Sequence, residues 1–96
     1  MAAVTLRRGD DSPIHVPHDR LDAGWSARAE LREHPTGPVL ESWNTGTGSA
    51  VIENGSVLLL TDRLGDPDWT LGEVTVHLTD PSGARTVLDP IRVRLR

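Results

Sequence analysis

The sequence predicts an all-β domain, a sandwich of about seven short antiparallel strands. Three observations carry that reading. Val74, Val76 and Leu78 alternate with Thr75, His77 and Thr79, and the run stops at Asp80-Pro81-Ser82-Gly83. Asn54-Gly55 lies between two apolar runs, and Asn-Gly is the strongest short-range signal for a two-residue hairpin. Trp25, Ala27, Ala29 and Leu31 alternate with Ser26, Arg28, Glu30 and Arg32, a period of two over eight positions.

Taken in order, Val4 and Leu6 alternate with Thr5 and Arg7, which places a first strand over 3–8. Positions 9–13 interrupt it. Ile14 and Val16 resume the alternation between Pro13 and Pro17, and so belong at a sheet edge or in a loop, because Pro brings no N–H to a ladder. Positions 17–24 read as a turn. Over 25–32 the helix formers Ala, Leu, Glu and Arg compete with the period. A helix would scatter the apolar side chains around its circumference, so the strand reading is preferred. Positions 33–38 form a loop and 39–43 the returning strand.

Positions 44–49 are rich in Gly and Thr and read as irregular. The Asn54-Gly55 hairpin joins 51–53 to 56–60. Val57, Leu58, Leu59 and Leu60 are apolar on both faces, as a central or covered strand would be. Positions 61–71 form a loop, with room for one helical turn, and Trp69 caps the core. In the organising hairpin, Asp80 suits the first turn position, Pro81 the second and Gly83 the fourth. The register then sets Val76 opposite Leu88, Leu78 opposite Thr86 and Asp80 opposite Ala84, with one face mostly apolar. Leu88 is even-numbered, whereas Ile91, Val93 and Leu95 are odd-numbered. A straight strand cannot bury both sets, so a bulge or bend is expected at Asp89-Pro90. Frequent turns and short strands favour an immunoglobulin-like sandwich over a small barrel.

Composition bounds the function. Ninety-six residues make one domain spanning 1–96, and 36% apolar residues supply one limited core. With Phe and Tyr absent, Trp25, Trp43 and Trp69 are the aromatic bulk. A net charge of −4 argues against nucleic-acid binding, which needs a basic patch. Cys is absent, so disulfides and thiolate metal sites are excluded. No apolar run approaches the ~20 residues that span a bilayer, and no signal peptide is legible, so synthesis in the cytosol without an export signal is expected.

Candidate chemistry is sparse. His15, His18 and Asp19, joined by His34 or His77, are metal-ligand types. Pro17 lies between the first two His, and surface histidines are the preferred reading. Asp62, Asp66 and Asp68 surround Gly65, but the alternating oxygen ligands and terminal Glu of a calcium loop are not in place. Arg8-Gly9-Asp10 reads as a strand-to-turn junction. There is no phosphate loop and no nucleophile elbow. An enzyme is not expected, nor a cofactor or metal.

Four stretches carry a family likeness: Leu6-Arg7-Arg8-Gly9-Asp10-Asp11; Gly24-Trp25-Ser26-Ala27-Arg28-Ala29-Glu30-Leu31-Arg32; Pro35-Thr36-Gly37-Pro38-Val39-Leu40; and Leu78-Thr79-Asp80-Pro81-Ser82-Gly83. Together the chain resembles the small immunoglobulin-like β-domains of tailed-phage virions. It is similar to the N-terminal domain of baseplate upper proteins and to short structural proteins of actinobacterial phages. The span between Asp11 and Gly24 is shorter than in that family, and 62–71 departs from it. The resemblance implies a non-enzymatic accessory subunit on a tail, baseplate, head-tail or capsid surface. It would occur in many copies and bind other virion proteins. The expected docking residues are Trp43, Arg92, Arg94 and, on the first strand, Val4 and Leu6. Arg92, Arg94 and Arg96 alternate with Val93 and Leu95 as a partner-facing stripe. The alternative is a carbohydrate- or host-surface-binding module with Trp43 or Trp69 as the stacking ring. A small metal hydrolase using His15 and His18 is the third reading.

Overall fold

The computed structural model describes residues 2–9, 11–19, 21, 24–62, 64 and 67–96. Local turn chemistry builds its hairpins. Asn54 and Gly55 both take the left-handed backbone, at φ 51° and 77°. They close a two-residue turn between β5 (Ala50–Glu53) and β6 (Ser56–Leu59), with Glu53 opposite Ser56. Asp80 joins β7 (Leu71–Thr79) to β8 (Arg85–Val87). Its Oδ1 accepts from the Ser82 N–H and the Ala84 N–H, each at 2.9 Å, and Gly83 supplies φ 92°.

The remaining strands are β1 (Ala2–Leu6), β2 (Ile14–Pro17), β3 (Ser26–Arg32), β4 (Glu41–Asn44) and β9 (Ile91–Leu95). They form two sheets. The larger runs β1-β9-β7-β3-β4, with β8 also paired to β7; the smaller runs β2-β6-β5. The two sheets share one core, to which β8 contributes no side chain. The larger sheet contributes Ala27, Ala29, Leu31, Trp43, Val74, Val76, Leu78, Ile91 and Val93; the smaller contributes Ile14, Val16, Ala50, Val57 and Leu59. Each fully buried Val, Leu or Ile side chain stabilises the fold by about 1.5–3 kcal/mol. Leu21 and Trp69 close the core from the connecting segments.

The expected register holds. Leu78 faces Thr86, the Leu88 N–H donates to the Val76 carbonyl at 3.0 Å, and the Asp80 N–H donates to the Ala84 carbonyl at 2.9 Å. The expected bulge is also present. Between the Val76–Leu88 bond and the Val74–Ile91 pair, β7 has Thr75 alone while the other strand has Asp89 and Pro90. That extra residue turns Ile91, Val93 and Leu95 inward after the parity change.

Two expectations are corrected. Among the described residues the strands number nine rather than about seven, because the Ile14–Pro17 segment pairs with β6 and the bulge divides the last strand into β8 and β9. Pairing is not all antiparallel, since β1 runs parallel to β9 from Ala2–Ile91 to Leu6–Leu95. A parallel neighbour needs a long connection, and here the intervening chain is that connection. The expected room for a helical turn in 61–71 falls partly on 63, 65 and 66, which lie outside the described residues; the Leu64 N–H closes a turn on the Thr61 carbonyl at 3.1 Å.

Candidate docking surface

The outward face of the larger sheet carries the polar half of each alternating strand. Cross-strand pairing arranges these side chains in rows. Asn44, Arg28, His77 and Val87 form one row, and Arg32, Glu73 and Arg92 another. Arg94 lies between Leu71 and Thr5. Arg92 and Arg94 are exposed on this face. Glu73 Oε1 lies 4.0 Å from the Arg92 guanidinium. Arg94 stands beside Leu71, an apolar side chain that is 44% exposed.

Val4 and Leu6 point the other way. Leu6 is buried, and Val4 packs against the core from the sheet edge. They hold β1 in place rather than meet a partner. What β1 offers is backbone. The Leu6 carbonyl accepts from the Arg96 N–H at 2.8 Å, and the Arg8 N–H donates to the Arg96 carbonyl at 2.7 Å. Even-numbered residues therefore bond to β9, while Ala3, Thr5 and Arg7 turn their N–H and C=O groups to the open edge.

Trp43 is not available for docking or for sugar stacking. It is 2% exposed, and its Nε1–H donates to the Leu60 carbonyl at 2.8 Å. The inward position that pairs with Ala29 decides this, since Ala29 leaves the space the indole fills. Trp69 is likewise buried, and its Nε1 has no hydrogen-bond partner among the described residues. Trp25 lies just before β3, is partly buried against the core, and meets the His18 ring at a centroid distance of 5.7 Å.

The histidines do not gather. His15 is exposed on the outer face of the smaller sheet, while His77 belongs to the outer face of the larger one. His34 lies in the 33–38 loop against Gly37. Among the described residues no group of three or more His, Asp or Glu is placed to hold a metal ion. Asp66, Gly65 and the Asp10 of Arg8-Gly9-Asp10 lie outside the described residues. Arg8 itself donates to the Pro67 carbonyl, tying the end of the first strand to the 61–71 loop.

A groove of about 490 Å³ crosses the outer face between β4 and β8. Arg28, Asn44, Thr45, His77, Arg85 and Val87 line it. Its charge is cationic on an acidic protein. Glu30 is occupied by Arg32 at 3.5 Å and lies 3.9 Å from the His77 Nε2. Arg28 and Arg85 have no carboxylate within ion-pair distance among the described residues. The sequence already placed Arg28 and His77 on outward positions. It gave no sign that Arg85 and Val87 would complete a concavity with them.

The Ser82 hydroxyl, donating at 2.6 Å, holds the Asp80 carboxyl below the ordinary aspartate range, against a small desolvation cost. Backbone N–H groups of the turn act in the same direction.

No known family model and no curated protein matches the chain.

Proposed function

We propose that the chain is a non-enzymatic structural subunit of a tailed-phage virion, docked on a tail, baseplate, head-tail or capsid surface in many copies. The observation that carries this reading is the exposed cross-strand row of Leu71, Arg94 and Thr5, which ends on the edge strand β1. A rigid sandwich with one arginine-bearing face and an edge left unpaired by the described residues can space and reinforce neighbouring subunits through main-chain pairing and charge contacts. Two further points support it. The four sequence stretches resemble virion β-domains. The neighbour orders β2-β6-β5 and β3-β7-β9 follow the B-E-D and C-F-G orders of immunoglobulin domains, with β1 beside the last strand. The protein would be made in the host cytosol and end in the particle. Purified particles should contain it at a fixed ratio to the major capsid or tail protein. Its recovery from lysate and never from particles would end this reading.

The second reading is a carbohydrate- or host-surface-binding module, and one observation favours it. Trp25 lines a shallow concavity of about 350 Å³ together with Gly24 and Gly48. A glycan array with wild type and Trp25→Ala separates the two. Binding that disappears in the variant supports the module, and no binding by either protein removes it.

A further inference from the structure

We propose that the open edge of β8 takes an extended segment of a partner protein, one that carries a carboxylate two residues from an apolar side chain. This inference takes from the virion reading only that the occupant is a protein. Three observations lead to it.

The first is hydrogen-bond phase. Ala84 and Leu88 are bonded to β7, through Asp80 at 2.9 Å and Val76 at 3.0 Å, so Thr86 between them is turned the same way. Arg85 and Val87 therefore aim their N–H and C=O groups away from the sheet. The second is that this edge is uncovered by the described residues. β1 covers β9, but its pairing ends with Ala2 opposite Ile91, before the line of β8 begins. The third is the side-chain chemistry on the outer face. Val87 is 61% exposed, with no part in the core. Arg85 stands two residues away, and Arg28 lies across the same groove.

An added strand continues the sheet and sets its own outward side chains opposite Arg85 and Val87. A carboxylate meets the Arg85 guanidinium at the mouth of the cationic groove, and an apolar side chain covers Val87. Charge selects this occupant, since the groove-lining residues include two arginines and no acid. The edges of β1 and β2 are less suited. β2 ends in Pro17, and the open positions of β1 carry no large apolar side chain.

The test is amide exchange and chemical shift on isotopically labelled protein titrated with acetyl-Thr-Glu-Thr-Val-Thr-amide. Saturable binding should slow exchange at Arg85 and Val87 and leave Thr86, already bonded to β7, unchanged. Replacing the peptide Glu by Gln, or Arg85→Gln in the protein, should weaken binding about tenfold, as loss of one charge-assisted hydrogen bond would. Val87→Pro removes an outward N–H and no bond to β7, so it should abolish binding while the melting temperature stays near wild type. No saturation at millimolar peptide overturns the proposal. So does equal binding of the Gln peptide, or binding that Arg85→Gln weakens and Val87→Pro leaves intact, which would mark a simple anion site. Particle composition is independent of these results, so failure of either idea can be told from failure of the other.

Discussion

The indole of Trp43 is bonded to the carbonyl of Leu60 across the sandwich, Nε1 to O at 2.8 Å, so β4 of the larger sheet is tied to the end of β6 in the smaller. Trp69 has the same ring, equally buried, and no such bond among the described residues. The two tryptophans therefore separate packing from hydrogen bonding. Trp43→Phe should cost about 1–3 kcal/mol more than Trp69→Phe, because it leaves a buried carbonyl without its donor. Trp43→Ala should cost about 3–5 kcal/mol. Urea denaturation midpoints measure all three, and equal costs for the two Phe variants would contradict the bond.

Trp25 gives a contrasting expectation. Alternation alone would bury its ring fully, but it lies outside β3 and is only partly buried, against the core and His18. Trp25→Ala should cost about 1–2 kcal/mol, well under the Trp43 value. Its fluorescence in the Trp43→Phe, Trp69→Phe background should be red-shifted and open to quenching by iodide.

The bulge at Asp89-Pro90 sets the facing of the last strand. Deleting Asp89 removes the extra residue, and Ile91, Val93 and Leu95 would then face solvent while Arg92 and Arg94 turn inward. The expected outcome is loss of cooperative unfolding, read by thermal melting. Asp89→Ala keeps the count and should melt within a few degrees of wild type.

Asp80 predicts a pH effect of known sign. Its carboxylate is held below the ordinary aspartate pKa of about 3.9 by the Ser82 hydroxyl and the turn N–H groups. The stability it contributes is complete above that ordinary value and is lost as pH falls through the lowered one. The melting-temperature gap between wild type and Asp80→Ala should be constant near neutral pH and narrow only in strong acid. A carboxyl titration by NMR should place the Asp80 midpoint below the ordinary aspartate value.

Much of the fold was legible because it is encoded locally. Asn54-Gly55, the Asp80 turn, the alternation of Ala27, Ala29 and Leu31, and the parity change after Leu88 each act within a few residues. The parallel pairing of β1 with β9 was not legible, because no short-range feature of Ala2–Leu6 names a partner near the other end of the chain. The exposure of β8 was hidden for a related reason. Thr86 occupies the position opposite buried Leu78, yet it is exposed because the three-stranded sheet does not cover that corner. The candidate site suffered most. Arg92 and Arg94 were read correctly as outward, whereas Trp43, Val4 and Leu6 depend on what lies beneath them. That is a property of the packed layers, not of spacing.

The β1–β9 pairing also has a mechanical consequence. Because the two strands run side by side in the same direction, the start of one and the finish of the other lie at opposite poles of the sandwich. Tension applied between those poles loads the whole row of bonds joining them in shear, all together, instead of peeling them singly. A block strung in line between two neighbours would resist stretching far better than one pulled from the Asn54-Gly55 tip.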